Sequence, residues 1–250
     1  MRIVSLVPSL TLTLFELGCS IDEVVGRTPW CIHPSEKVSK VPVVGGTKTP
    51  NMNKILSANP DLVVLDREEN PKAVYEQLVE AGIEVFVCTV EHPNDVPQLL
   101  RELGAKINRE KSGEAWASAL EVLLQELHLN PLPPSKVAPM IWHNPLMSVG
   151  PHKYAGGVLT TLGLQVPALV EGGNGYPVVT PELLMHHGIE GLLLSSEPHP
   201  FALEEGEAIA SKVSELGGPK PWSKCIDGEA LTWFGTHTAS GLASLHSALK

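Results

Sequence analysis

The stretch REKSGEAWASALEVLLQELHL, Arg109–Leu129, decides how the rest of the chain is read. It holds no proline, and its single glycine, Gly113, lies near the start. Its residues favour the helix, and at 3.6 residues per turn it makes about six turns. Ala115, Ala119, Val122, Leu123 and Leu127 are spaced for one apolar face. Asn130-Pro131-Leu132-Pro133-Pro134 stops it. A helix this long between two sets of shorter elements is a rigid spacer.

On both sides the pattern is strand then helix. Ile3–Val7 reads as a buried strand stopped by Pro8, with Ser9 as N-cap of a helix Leu10–Leu17 that Gly18 ends. Glu23–Gly26 is a second short strand, followed by a Pro/Gly-rich stretch, Arg27–Pro50. A helix Asn51–Ser57, a strand Asp61–Asp66, a helix Lys72–Ala81, a strand Glu84–Cys88 and a helix Asp95–Leu103 closed by Gly104 complete this half. Beyond the spacer come a strand Val137–Trp142, a helix Tyr154–Leu162, a weak strand or loop Leu164–Val170 and a helix Pro181–His187. They are followed by a strand Ile189–Ser195, a helix Leu203–Leu216, a strand Cys225–Asp227 and a helix Thr238–Leu249.

The halves echo each other. Asn51–Pro60 followed by DLVVLDREENP matches Thr180–Gly188 followed by IEGLLLSSEPHP: helix, apolar strand, acidic turn, proline. The expected architecture is α/β: two Rossmann-like lobes, 1–106 and 132–250, joined by a linker helix, 107–131, with a ligand cleft between the lobes.

Eighteen Lys and Arg against 28 Asp and Glu give a formal net charge of −10, which excludes a nucleic-acid binder and an anionic membrane surface as partners. No run approaches the ~20 apolar residues of a membrane helix. Cys19, Cys31, Cys88 and Cys225 are far apart and form no CxxC pair, so neither a disulfide framework nor a structural zinc site is expected. Met1–Pro8 enters a strand with no signal-peptide apolar region, which as it stands implies the cytoplasm; a preceding export signal would imply the periplasm.

In open α/β sheets the ligand lies beyond the carboxyl ends of the strands. Of only 12 aromatic residues, Trp30, Trp142, Trp222, Trp233, Phe201, Phe234 and Tyr176 fall in or beside loops, which favours a large, flat, partly apolar ligand. His33, His92, His143, His199 and His237 follow strands, and a hydrogen-bonding role is the expectation for each, with no metal site assigned. His186-His187 sits on a helix, where neighbours diverge. No GxSxG, GxGxxG or Walker A motif occurs, and Val44–Thr49 reads as a turn, so no catalytic residue is assigned.

RIVSLVPSLTLTLFELG, VVGRTPWCIHP, VVGGTKTPNMNKILSANPDLVVLDREEN, IWHNPLMSVG, LLLSSEPHPF and LTWFGTHTASG together resemble the periplasmic cobalamin-binding proteins of ABC importers and, more broadly, the helical-backbone metal-receptor superfamily. The resemblance runs in order over nearly the whole chain. It implies a non-catalytic protein that binds cobalamin, a related corrinoid or another metal chelate and delivers it to an importer, with no required cofactor, as a monomer. It also implies that Trp30 and Tyr176 contact the corrin, that Asp66 stands where these receptors carry a Trp, and that Glu182 is a docking carboxylate for the permease. The first-lobe counterpart of Glu182 falls on Asn53. Trp142 and Trp233 join the expected ligand contacts, and His33 or His143 is an optional axial contact. Two alternatives remain: a cytoplasmic corrinoid carrier or sensor on the same scaffold, and a metal-dependent hydrolase or lyase using Cys31, His33, His143 and the turn at Glu68-Glu69.

Overall fold

The computed structural model describes all 250 residues. The chain forms two compact units. The first comprises Met1–Val90, Val96–Ala119 and Phe234–His237; the second comprises Glu91–Asp95, Leu120–Trp233 and Thr238–Lys250.

In the first unit, β1 (Ile3–Ser5), β2 (Val24–Arg27), β3 (Leu62–Asp66) and β4 (Glu84–Cys88) form one parallel sheet in the order β2-β1-β3-β4. Both central strands are buried along their whole length, as strands covered on two faces must be. Helices α1 (Pro8–Glu16), α2 (Ser35–Val38), α3 (Met52–Ser57) and α4 (Lys72–Glu80) lie between these strands in the chain; α5 (Val96–Lys106) follows β4, and α6 (Glu110–Leu129) belongs to this unit as far as Ala119. Val4, Leu6, Val44, Ile55, Val63, Leu65, Val74 and Leu78 form a core on one side of the sheet.

In the second unit, β5 (Val137–Trp142), β6 (Met147–Ser148), β7 (Gly191–Ser195) and β8 (Trp222–Ile226) form a sheet in the order β6-β5-β7-β8. β5, β7 and β8 run parallel, and β6 is an antiparallel edge. The helices here are α7 (Tyr154–Thr161), α8 (Pro181–His186), α9 (Leu203–Glu215), α10 (Gly228–Thr232) and α11 (His237–Leu249). The echoed segments fall on β3 and β7, which hold the same place in their sheets. Each follows a capped helix: the Asn51 side chain accepts from the Lys54 N–H before α3, and the Thr180 side chain accepts from the Leu183 N–H before α8.

Several elements differ from their sequence reading. β1 ends at Ser5, and Pro8 opens α1 at its first position, where the missing N–H is no loss; Ser9 is therefore inside the helix and is not its cap. α5 runs through Gly104 to Lys106. That glycine is a packing residue: a Cβ there would stand 3.0 Å from the Gly113 Cα and 3.1 Å from the Arg109 carbonyl. The buried stripe of α6 is Gly113, Ala117, Leu120 and Leu127, while Ala115 and Ala119 are exposed and Val122 is 56% exposed. The expected face is therefore rotated from the true one, because Gly113 and Ala117 face the protein and allow close approach. Leu164–Val170 contributes only a single bridge, Lys136 to Gln165. Three of these elements have no counterpart in the sequence reading: α2, inside the Pro/Gly-rich stretch, β6, which is two residues long, and α10, capped by the Asp227 side chain on the Glu229 N–H.

Candidate functional site

The carboxyl ends of β5 and β7 carry a group of polar and aromatic side chains in mutual contact. The two strands are neighbours, with Met140 opposite Leu194, so the residues after each strand leave the sheet side by side. Beyond β5 stand Trp142, whose indole N–H donates to the Asn144 carbonyl at 3.0 Å, and His143. Beyond β7 the chain turns tightly: Ser195 Oγ donates to the Glu197 carbonyl at 2.7 Å, and the Phe201 N–H donates to the Ser195 carbonyl at 3.3 Å. The His199 N–H reaches the Ile141 carbonyl at 3.4 Å, which ties this turn to the end of β5.

Glu205 lies in the first turn of α9 and its carboxylate joins these pieces. Oε2 accepts from the Ala202 N–H at 2.8 Å, satisfying one of the unpaired donors at the helix start. Oε1 accepts from His199 Nε2 at 3.0 Å and from His143 Nδ1. The Ala202 N–H foremost, and then His199, hold this carboxyl well down, at about 2. The rings pack as well. His143 and His199 meet edge to face with centroids 5.4 Å apart, His199 meets Phe201 at 4.6 Å, and Trp142 meets His199 at 6.3 Å. His143 stacks on Phe201 at 6.1 Å.

The remaining expected residues lie as follows. Trp30 is in the first unit and is 66% exposed. His33, in the same unit, is half-buried. Trp142 is 42% exposed. Tyr176 is half-buried, with Lys153 Nζ 5.0 Å from its ring centroid. Beside it a cavity of about 590 Å³ is lined by Gly150, Lys153, Leu169, Val170 and Gly173, within the range of small-molecule sites. Trp233 is only 8% exposed; its side chain hydrogen-bonds Glu197, whose carboxyl is pushed up by burial and which also accepts from Thr232 Oγ1 at 3.1 Å. Glu182 is exposed in the first turn of α8, its carboxyl lowered by hydrogen bonds, the Thr180 side chain's first. Asn53 is exposed on α3.

The residues chosen for a hydrolase do not form a metal-ligand group. The Cys31 thiol is buried and bonded to Thr11 at 3.0 Å and Thr28 at 3.1 Å, and burial raises its pKa. Glu68 and Glu69 lend their N–H groups to Asp66 Oδ1 at 2.8 and 2.9 Å, so their turn is built around Asp66. The group whose donor atoms do converge is His143, His199 and Glu205. Sequence reading named both histidines but not Glu205. Its signal was present: a Glu at the third position of the helix that follows a strand and a His-Pro-Phe turn.

Two α/β units, each built on a four-stranded sheet that is parallel but for the β6 edge, define a two-lobed binding-protein fold. The sequence model of the Periplasmic binding protein family matches residues 3–130, about half of the chain, and the chain belongs to that family. The vitamin B12-binding protein of Pectobacterium atrosepticum is 27% identical over 126 residues, 50% of this chain and 44% of that protein. The chain thus matches less than half the length of this curated relative. Among solved structures, the periplasmic vitamin B12 binding protein BtuF of Vibrio cholerae aligns over 99% of this chain and 96% of its own, with a TM-score of 0.81 at 18% identity. The periplasmic heme-binding protein RhuT from Roseiflexus sp. RS-1, in apo form, aligns over 99% and 97%, with a TM-score of 0.80 at 22% identity. These likenesses show a shared fold. No helix is long and apolar enough to cross a membrane.

Proposed function

We propose that this chain is a non-catalytic substrate-binding protein for cobalamin or a related corrinoid, which it delivers to the permease of an ABC importer. The observation that carries this reading is the 126-residue similarity to a vitamin B12-binding protein, on top of family membership. The exposed ring faces of Trp30 and Trp142, with Tyr176 beside its cavity, suit a broad, flat, partly apolar ligand. Trp233 is the fourth aromatic contact of this reading, and His33 or His143 is available as an axial donor to the ligand's metal. α6, within the span 107–131, serves as a stiff connector between lobes 1–106 and 132–250, the protein acts as a monomer, and Glu182 meets an arginine of the permease.

The test is calorimetric titration of purified protein with cyanocobalamin, read in parallel by tryptophan fluorescence. A dissociation constant of about 1 μM or tighter, close to 8 kcal/mol, is expected. Trp30→Ala should weaken it about tenfold or more, as removal of a central aromatic contact does. Absence of heat and of quenching at about 100 μM cobalamin overturns the corrinoid reading. Hemin binding under the same conditions would then move the ligand to a porphyrin.

A further inference from the structure

We infer that the second unit carries its own binding site for a borderline divalent cation of the zinc, cobalt or nickel type, ligated by His143 Nδ1, His199 Nε2 and Glu205 Oε1. The three donor atoms lie within 4.8 Å of one another. In a tetrahedral zinc site with bonds of about 2.0–2.1 Å, neighbouring donors stand roughly 3.3 Å apart. His199 Nε2 and Glu205 Oε1 are already at 3.0 Å. The His143 side chain is 50% exposed beyond the end of β5, which leaves it room to adjust to the ion.

The donors are also oriented from behind. Glu205 Oε2 is held by the Ala202 N–H, so the carboxylate cannot swing away and Oε1 is left facing both imidazoles. Partners that fix a ligand in this way are a regular part of metal sites. Phe201 packs against both histidine rings, and Trp142 packs against His199, giving the donors an apolar wall. Two imidazoles and one carboxylate suit a borderline cation. Calcium and magnesium ask for oxygen donors in greater number. On binding, the ion replaces the two N–H donors to Oε1, and each neutral imidazole shifts its proton to its other ring nitrogen, Nε2 of His143 and Nδ1 of His199. Three protein ligands leave a fourth coordination place for water or for a donor atom of a bound molecule.

The site draws on no residue of the first unit, and the ion is tested without any chelate, so its outcome is separate from that of the corrinoid titration. The experiment is titration of chelator-stripped full-length protein with zinc chloride by calorimetry, with cobalt(II) absorption and melting temperature as further readouts. One equivalent should bind at about 10 μM or tighter, raise the melting temperature, and give the visible bands of four-coordinate cobalt(II). His143→Ala and His199→Ala should each weaken zinc about tenfold or more. Glu205→Gln, whose amide oxygen can still accept from the Ala202 N–H, should weaken it while the melting temperature without metal stays near that of the parent. His186→Ala on α8 should change nothing. If His199→Ala fails to fold, the half-exposed His143 decides alone. Less than one equivalent bound at about 100 μM zinc, or undiminished binding in His143→Ala, overturns the inference.

Discussion

Gly113→Ala isolates the contact on which α6 is seated in the first unit. By helix propensity alone the change should stabilise by about 1 kcal/mol, since glycine inside a helix is that much poorer than alanine. The packing opposes it. A Cβ on Gly113 would lie 2.5 Å from the Leu100 carbonyl oxygen and 3.2 Å from the Gly104 Cα, both main-chain atoms of α5. Restoring an ordinary carbon-to-oxygen contact of about 3.3 Å requires α5 and α6 to part by roughly 0.8 Å. Overpacking of this kind costs about 1–3 kcal/mol, and a main-chain oxygen has no rotamer by which to yield, so the upper part of that range applies. The net expectation is a loss of about 1–2 kcal/mol, or about 4 °C in melting temperature for a chain of this size. Urea unfolding followed by far-ultraviolet circular dichroism reads it, with Ala115→Gly as the companion. At that exposed position the methyl meets no packing partner, so its removal should also destabilise, by about 1 kcal/mol. The same methyl is thus unfavourable at 113 and favourable at 115. Gly113→Ala matching or exceeding the parent in stability would refute the argument.

Glu23 accepts from the Ser20 N–H at 2.8 Å and pairs with Arg109 at 3.1 Å; these contacts, the Ser20 bond first, hold its carboxyl below the usual range. Because the folded pKa is depressed, its stabilisation is complete above the unfolded value near ~4.3 and is lost as pH falls through the folded value. Glu23→Gln should therefore cost about 0.5–1 kcal/mol in urea melts at neutral pH and nothing once the folded-state carboxyl is protonated; an equal cost at both would contradict this. Ellman's reagent should titrate one thiol of the native protein quickly, Cys225, and the other three only in urea, because Cys19, Cys31 and Cys88 are buried and burial raises each thiol, Cys19 to about 11. Two or more fast thiols would count against that burial. Thr11→Val should lose about 1–3 kcal/mol, since the Thr11 hydroxyl bonds buried groups, donating to the Val7 carbonyl at 2.9 Å with Ser5 Oγ at 2.8 Å. An unchanged urea midpoint would mean that this network contributes nothing.

What could be read in advance was whatever short-range chemistry decides. The apolar runs of β3 and β7, the caps Asn51 and Thr180, and the glycine- and proline-free body of α6 carry their conformations locally, and the α/β class followed from their alternation. Facts that depend on a neighbour could not be read in this way. Gly104 has the composition of a helix stop, yet it sits inside α5 because Gly113 comes against it. The buried face of α6 differs from the expected one because Gly113, not an apolar side chain, sets where the helix meets α5. His143, His199 and Glu205 are 56 and 6 positions apart, and only the pairing of β5 with β7 brings them together.

The internal repeat sharpens this point, because its two copies end differently at the same place in the fold. After β3 the turn reads Asp66-Arg-Glu-Glu-Asn70, and Asp66 is fully engaged within it. Its Oδ1 accepts from the Glu68 and Glu69 N–H groups, its Oδ2 accepts from Cys88 Sγ at 3.2 Å, and its own N–H donates to Asn70 Oδ1 at 2.9 Å. A carboxylate closed on both oxygens holds a turn and has little left to offer a ligand. After β7 the turn reads Ser195-Ser-Glu-Pro-His-Pro-Phe201, where a serine replaces the aspartate and closes the turn through its hydroxyl. The carboxylate of this copy is Glu205, ten residues past Ser195, which answers the helix with one oxygen and two imidazoles with the other. The same βα unit therefore yields a structural turn in one copy and a set of converging donors in the second. The difference lies in where the acidic residue stands relative to the strand end, at the last strand residue in one copy and ten residues beyond it in the second.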